Sequence, residues 1–98
     1  MITYHNAFKA LADPTRLTLM EKLATTPQAV GVLARGMDVS RPAVSQHLQV
    51  LCQAQLARRV KVGKRDQYAI DPEGMEALRA YVEGFWDTAL SRFKRHAE

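Results

Sequence analysis

Residues 40–51 read SRPAVSQHLQVL, and after a four-residue link residues 56–70 read LARRVKVGKRDQYAI. At about 100° per residue, Val44, Leu48 and Leu51 fall within one narrow arc of a helix. Pro42, Gln46, Gln49 and Gln53 point the other way, with Ser45 and Arg41 between the two arcs. Ser40 has the right chemistry for an N-cap, and Pro42 sits in the first turn, where a missing N–H costs nothing. The stretch predicts a helix with one apolar seam and one polar face over residues 40–53. Asp and Glu are absent from residues 39–65, while Arg41, Arg58, Arg59, Lys61, Lys64 and Arg65 fall inside that span. A helix kept polar for solubility alone normally carries carboxylates. A helix that faces phosphates tolerates them badly.

Past this helix the period changes from helical to alternating. Leu56, Val60 and Val62 are interleaved with cations over 56–62, and Tyr68 and Ile70 alternate over 66–70. Gly63-Lys64-Arg65 is a tight loop between them, so the pattern is a β-hairpin. Working back toward the start, a first helix is expected over 3–12, carrying Tyr4, Ala7, Phe8 and Leu11. Asp13-Pro14 ends it and caps a second, with Leu17, Met20, Leu23 and Ala24 inward. Thr25-Thr26-Pro27 breaks that helix, and a third covers 28–37 with Val30, Leu33 and Ala34 inward. After the hairpin, Asp71-Pro72-Glu73 is again an N-cap, a first-turn proline and an acidic first turn. The last helix reaches about residue 95. Its stripe of Met75, Leu78, Val82, Phe85 and Ala89 is widened by Tyr81, Trp86, Leu90 and Phe93, more apolar surface than one small core can cover.

The expected architecture is mainly α with a β-hairpin wing: four helices, a hairpin and a final helix, a winged helix-turn-helix. With 98 residues the chain is one domain, 1–98. Net charge is +4, which suits a polyanionic partner, and the cations concentrate around the hairpin. The functional expectation is sequence-specific binding of double-stranded DNA. Ser40, Arg41, Pro42, Ser45, Gln46, His47 and Gln49 form the reading face, and Lys61, Lys64 and Arg65 form the gripping wing. His47 flanks the polar arc and has two readings, a DNA contact or a hydrogen bond within its own subunit. Tyr4, Phe8, Phe85, Trp86, Leu90 and Phe93 are the expected homodimer surface, since a chain this short buries only a modest core.

Other classes are disfavoured. Ser45 and His47 lie about 200° apart around a helix and cannot pair as nucleophile and base. There is no glycine-rich phosphate loop and no paired-carboxylate pocket, so no catalytic residue and no enzyme is expected. A winged helix serving only protein–protein contact is the harder alternative, because fold does not dictate function. The carboxylate-free basic span argues for DNA instead. The single cysteine, Cys52, excludes an internal disulfide and points to a reducing compartment. No apolar run spans a bilayer, and MITYHNAFKAL has neither the basic nor the apolar part of a signal peptide. A cytoplasmic protein with no membrane partner is expected.

Residues 8–24, FKALADPTRLTLMEKLA, together with SRPAVSQHLQVL at 40–51 and KVGKRDQYAIDPEG at 61–74, resemble the ArsR/SmtB family of bacterial repressors. The resemblance covers nearly the whole chain. It implies a homodimer joined through first and last helices, repressing transcription from a partly palindromic operator. Two small departures affect turns: Asp38 and Gln55 stand where the family often has Gly. Asp38 tolerates a left-handed turn better than most residues, and Gln55 is a poorer helix terminator than Gly. The larger departure concerns sensing. Metal-responsive members carry paired cysteines in the helix-turn-helix unit, or Asp and His pairs on the last helix. Here Cys52 is alone, Asp87 and His96 are nine residues apart, and His5 and His47 lie on other elements. Zn²⁺ needs three or four convergent ligands, so neither a metal site nor a cofactor is expected. Cys52 is a small, partly buried apolar residue on this reading. A metal- or small-ligand-responsive sensor is the alternative within the family, and an unidentified small-molecule inducer stays open.

Overall fold

Three helices start where the chain supplies a capping oxygen. Asp13 Oδ1 accepts from the Arg16 N–H at 3.1 Å, Ser40 Oγ from the Ala43 N–H at 3.3 Å, and Asp71 Oδ1 from Glu73 and Gly74 at 3.1 and 3.3 Å. Each satisfies a backbone donor that the first helical turn leaves without a partner. The structure, a computed structural model, describes residues 3–97, with side chains through Lys94. The elements are α1 (Tyr4–Leu11), α2 (Pro14–Leu23), α3 (Val30–Ala34), α4 (Arg41–Gln53), β1 (Ala57–Val62), β2 (Arg65–Ile70) and α5 (Pro72–Ala97). This is the mainly helical winged helix-turn-helix, with α3 and α4 as the helix-turn-helix and the hairpin as the wing.

Val44, Leu48 and Leu51 of α4 are fully buried, and Leu19, Leu33 and Leu56 close around them. On α2 the inward arc differs from the expected one. Leu19, Met20 and Leu23 are buried, whereas Leu17 and Ala24 are exposed. The helix carries two apolar arcs, and packing against α4 and β2 selects one of them. On α1 the buried residues are Ala7 and Ala10, small enough for close packing, while Tyr4 and Phe8 turn outward.

The third helix is shorter than the expected 28–37. Gln28 exchanges both backbone bonds with Tyr68 of β2, at 2.9 and 2.8 Å, and so forms a one-residue third strand beside the wing. An extended residue cannot also begin a helix, so α3 starts at Val30. At its other end the left-handed residue is Gly36, at φ 73°, and Asp38 does not take the positive φ anticipated for it. The wing register pairs Val62 with Arg65, which leaves a two-residue loop, Gly63-Lys64, instead of three. Gly63 has φ 65° and Lys64 does not have positive φ, the sign pattern of a type II′ hairpin turn.

Helix α4 ends on Gln55 at φ 63°. The N–H of Leu56 reaches the Leu51 carbonyl and that of Gln55 reaches Cys52, both at 3.0 Å, the two bonds of a Schellman end made without glycine. From Arg79 to Lys94 every residue of α5 is exposed, and the molecule is 57 Å long against 28 and 22 Å across.

Candidate nucleic-acid interface

Seating Val44, Leu48 and Leu51 in the core leaves the opposite side of α4 to solvent. Ser40, Arg41, Pro42, Gln46 and Gln49 are exposed there, and Ser45 is half-buried at the edge of the seam. The Arg41 guanidinium lies over Gly31 of α3, at 3.5 Å from where a Cβ on that glycine would stand. The polar face predicted from periodicity is therefore formed, and it carries no carboxylate.

His47 is half-buried, and its Nδ1 accepts from Arg16 Nη1 at 3.2 Å. Arginine has no acceptor, so Nδ1 carries no proton in this contact. Of the two readings given by the sequence, the intrasubunit hydrogen bond is present. Its partner, Arg16, was not singled out in the sequence; the only cue was a cation in the first turn of α2. The Arg16 N–H holds the Asp13 carboxyl below its usual range, with the charge of Arg16 adding to it against a desolvation that opposes both.

In the wing, Lys61, Lys64 and Arg65 are exposed, and among the described residues none of them makes an ion pair. Asp66, the nearest carboxylate, instead meets Arg59 at 3.6 Å, an exposed contact of about 0–1 kcal/mol. The register puts Lys61 opposite Asp66 and Arg65 opposite Val62, so Lys61 and Arg65 leave the ribbon on opposite faces around the Gly63-Lys64 tip. Arg58 and Arg59 diverge for the same reason.

Residues 13–59 match the family described as "Bacterial regulatory protein, arsR family". A relative in Mycobacterium tuberculosis, the HTH-type transcriptional regulator Rv2034, is 49% identical over 95% of this chain and 90% of its own length. The chain belongs to the arsR family. This arsR-family protein is a DNA-binding transcriptional regulator. Its fold matches the structure of an ArsR-like transcriptional regulator from Rhodococcus sp. RHA1 with a TM-score of 0.77, at 31% identity over 97% of this chain and 92% of that one. The solution structure of a homodimeric winged helix-turn-helix DNA-binding domain, Mb0332 of Mycobacterium bovis, matches with a TM-score of 0.67, at 30% identity over 90% and 82% of the two chains.

The six apolar residues predicted for dimerisation are all solvent-facing in this arsR-family subunit. Phe85, Trp86 and Phe93 are 60–71% exposed, and Tyr4, Phe8 and Leu90 somewhat less. Tyr4 stacks on Tyr81 of its own subunit with ring centroids 4.3 Å apart, and Phe8 tilts against the same ring at 6.0 Å. Tyr81 thus fixes α1 along α5 and makes the exposed residues of both helices one continuous surface. Cys52 is half-buried, and burial pushes its thiol above the usual range against the charge of Arg59. Among the described residues no group of three His, Cys, Asp or Glu converges as a metal site would require. The expected separation of Asp87 from His96 involves a side chain, that of His96, outside the described residues. No described helix is long and apolar enough to cross a membrane.

Proposed function

We propose that the regulator acts in the cytoplasm as a homodimeric repressor, folded as one domain over residues 1–98, on a partly palindromic operator. The observation that carries the reading is the carboxylate-free polar face of α4 set beside a wing whose tip cations form no ion pair among the described residues. In this arrangement α4 enters the major groove. Ser40, Arg41, Ser45, Gln46 and Gln49 face base edges, with Pro42 at the helix start and His47 turned from the bases toward Arg16. Lys61, Lys64 and Arg65 reach phosphates. The apolar surface of α1 and α5, with Tyr4, Phe8, Phe85, Trp86, Leu90 and Phe93, is covered by a second copy. Two-fold symmetry then sets two copies of α4 about one helical turn, roughly 34 Å, or more apart on the duplex. Footprinting the purified protein on genomic DNA tests the reading. Protection of two related half-sites is expected, with affinity falling steeply between roughly 50 and 200 mM salt. The ligand count in the sequence supports regulation through an organic inducer near the seam, a partner protein or expression level, with no catalytic role.

Base reading is shared along the face, and Gln46, whose side-chain amide can pair bidentately with adenine, provides the test. Gln46→Ala should lose about 1–3 kcal/mol on the operator and little on random DNA. Equal losses on both would make Gln46 a backbone contact. The wing should act without regard to sequence. Removing charge at Lys64 and Arg65 together should flatten the plot of log affinity against log salt by about one unit for each phosphate the wing no longer neutralises. A slope unchanged in the double variant would place the wing off the DNA.

A further inference from the structure

Helix α4 touches the rest of the subunit mainly through Val44, Leu48 and Leu51, and apolar contacts of this kind have little directionality. They bury the helix, and a hydrogen bond adds to that packing a restraint that depends on direction. Among the described residues, one side-chain hydrogen bond joins α4 to another helix, that of Arg16 Nη1 to His47 Nδ1. The same guanidinium donates from Nε to the carbonyl of Ala10 at 2.7 Å. That carbonyl lies in the last turn of α1, where helix oxygens lack intrahelical partners. Arg16 itself is half-buried, with its N–H held by Asp13.

One planar group therefore spans α1 and α4 and fixes the angle at which both meet it, which a flexible ammonium could not do. Ala10 follows Phe8 by two residues, on the helix that stacks against Tyr81 of α5. At the other end, His47 is adjacent to Gln46, so a rotation of α4 that breaks the Arg16 contact also swings Gln46 out of register with the bases.

We infer that Arg16 and His47 are positioning residues for DNA reading: a strut from the α1–α5 face to the reading helix that sets operator selectivity without contacting DNA. The inference rests on the proposed reading of DNA by a dimer joined at that face. His47 works through Nδ1, turned to Arg16, and its Nε2 edge is dispensable.

The test compares a footprinted operator duplex with a random duplex of equal length, using variants whose fold and dimerisation have been checked by circular dichroism and sedimentation. Arg16→Met keeps the aliphatic stem and removes the fork. It should weaken operator binding about tenfold or more, as expected for loss of a charge-assisted hydrogen bond, and leave random-DNA affinity and salt slope unchanged. Asn places its acceptor near the position of Nδ1, whereas Gln reaches the position of Nε2. His47→Asn should therefore keep the selectivity ratio, and His47→Gln should lose it. Adding His47→Gln to Arg16→Met should cost nothing further. Three results overturn the inference. Arg16→Met could weaken both duplexes equally with a shallower salt slope, which would make Arg16 a phosphate contact. It could lower only the melting temperature, which would make the bond structural. His47→Asn could fail as badly as His47→Gln, which would make Nε2 the working edge. Should Arg16→Met not fold, the two His47 variants decide alone, because no backbone group depends on that ring. Wild-type protein with no preference among DNA sequences would overturn the proposed function itself and the inference with it, a result distinct from the other three.

Discussion

Gly74→Ala is expected to destabilise the protein by about 3 kcal/mol or more, at the upper end of overpacking costs. A Cβ on Gly74 would stand 1.6 Å from the Gln55 carbonyl oxygen and 2.8 Å from its carbon. The obstacle is backbone, and neither backbone can withdraw cheaply. The Gln55 carbonyl points at Gly74 because Gln55 holds φ 63° to close the end of α4. Gly74 is held from its own side, with its N–H on Asp71 Oδ1, while the Asp71 N–H reaches the Leu56 carbonyl at 3.0 Å. Relief of the clash must break either the end of the reading helix or the start of α5. For a domain of this size the loss corresponds to a fall of roughly 12–24 °C in melting temperature. Gly31→Ala is the control, because its Cβ would meet Arg41 at an ordinary 3.5 Å and removes a glycine from a helix. It should be neutral or stabilising by up to about 1 kcal/mol. Urea denaturation of both variants decides the matter. A Gly74→Ala protein within about 0.5 kcal/mol of wild type, below any overpacking cost, would mean that the two backbones separate freely.

The second large effect is expected at the apolar face. Phe85 and Trp86 are 65% and 60% exposed in the subunit, so their truncation removes little from its own core. Burial of each against a second copy contributes about 1.5–3 kcal/mol. Because a symmetric dimer buries each side chain twice, Phe85→Ala/Trp86→Ala should raise the dimer dissociation constant by roughly four orders of magnitude or more. The subunit should keep its helical circular dichroism. Operator affinity should fall with dimerisation, because only a dimer spans two half-sites. Sedimentation equilibrium at micromolar concentration is the measurement. A double variant that stays fully dimeric would move the seam away from this part of α5.

Both effects depend on contacts with unequal legibility. The capping oxygens of Asp13, Ser40 and Asp71 bind N–H groups two or three residues onward, so a short window of sequence contains donor and acceptor together. The seam of Val44, Leu48 and Leu51 is legible for a similar reason. Helical geometry alone puts those positions on one side, and their apolar chemistry leaves one place for that side to go. The wing needed only strand alternation and a glycine at its tip. The surplus on α5 was visible because Phe85, Trp86, Leu90 and Phe93 exceed what the core of a short chain can absorb.

What the sequence determined by itself was thus mostly features whose cause lies within about one turn of helix or one hairpin, though not the two-residue wing tip or the left-handed turn at Gly36. The element order, the polar face of α4 and the basic wing tip are of this kind. Tertiary structure alone decided the features that join distant segments. Gln28 lies forty residues before Tyr68, and their pairing shortens α3. Leu19 is buried in place of Leu17 because of what α2 meets, since its own periodicity allows either. Gly74 is constrained by Gln55 and His47 by Arg16, pairs whose members no local pattern connects. Periodicity and capping report only the energetics of nearby residues, and which remote backbone or side chain arrives opposite a given position is settled when the whole chain packs.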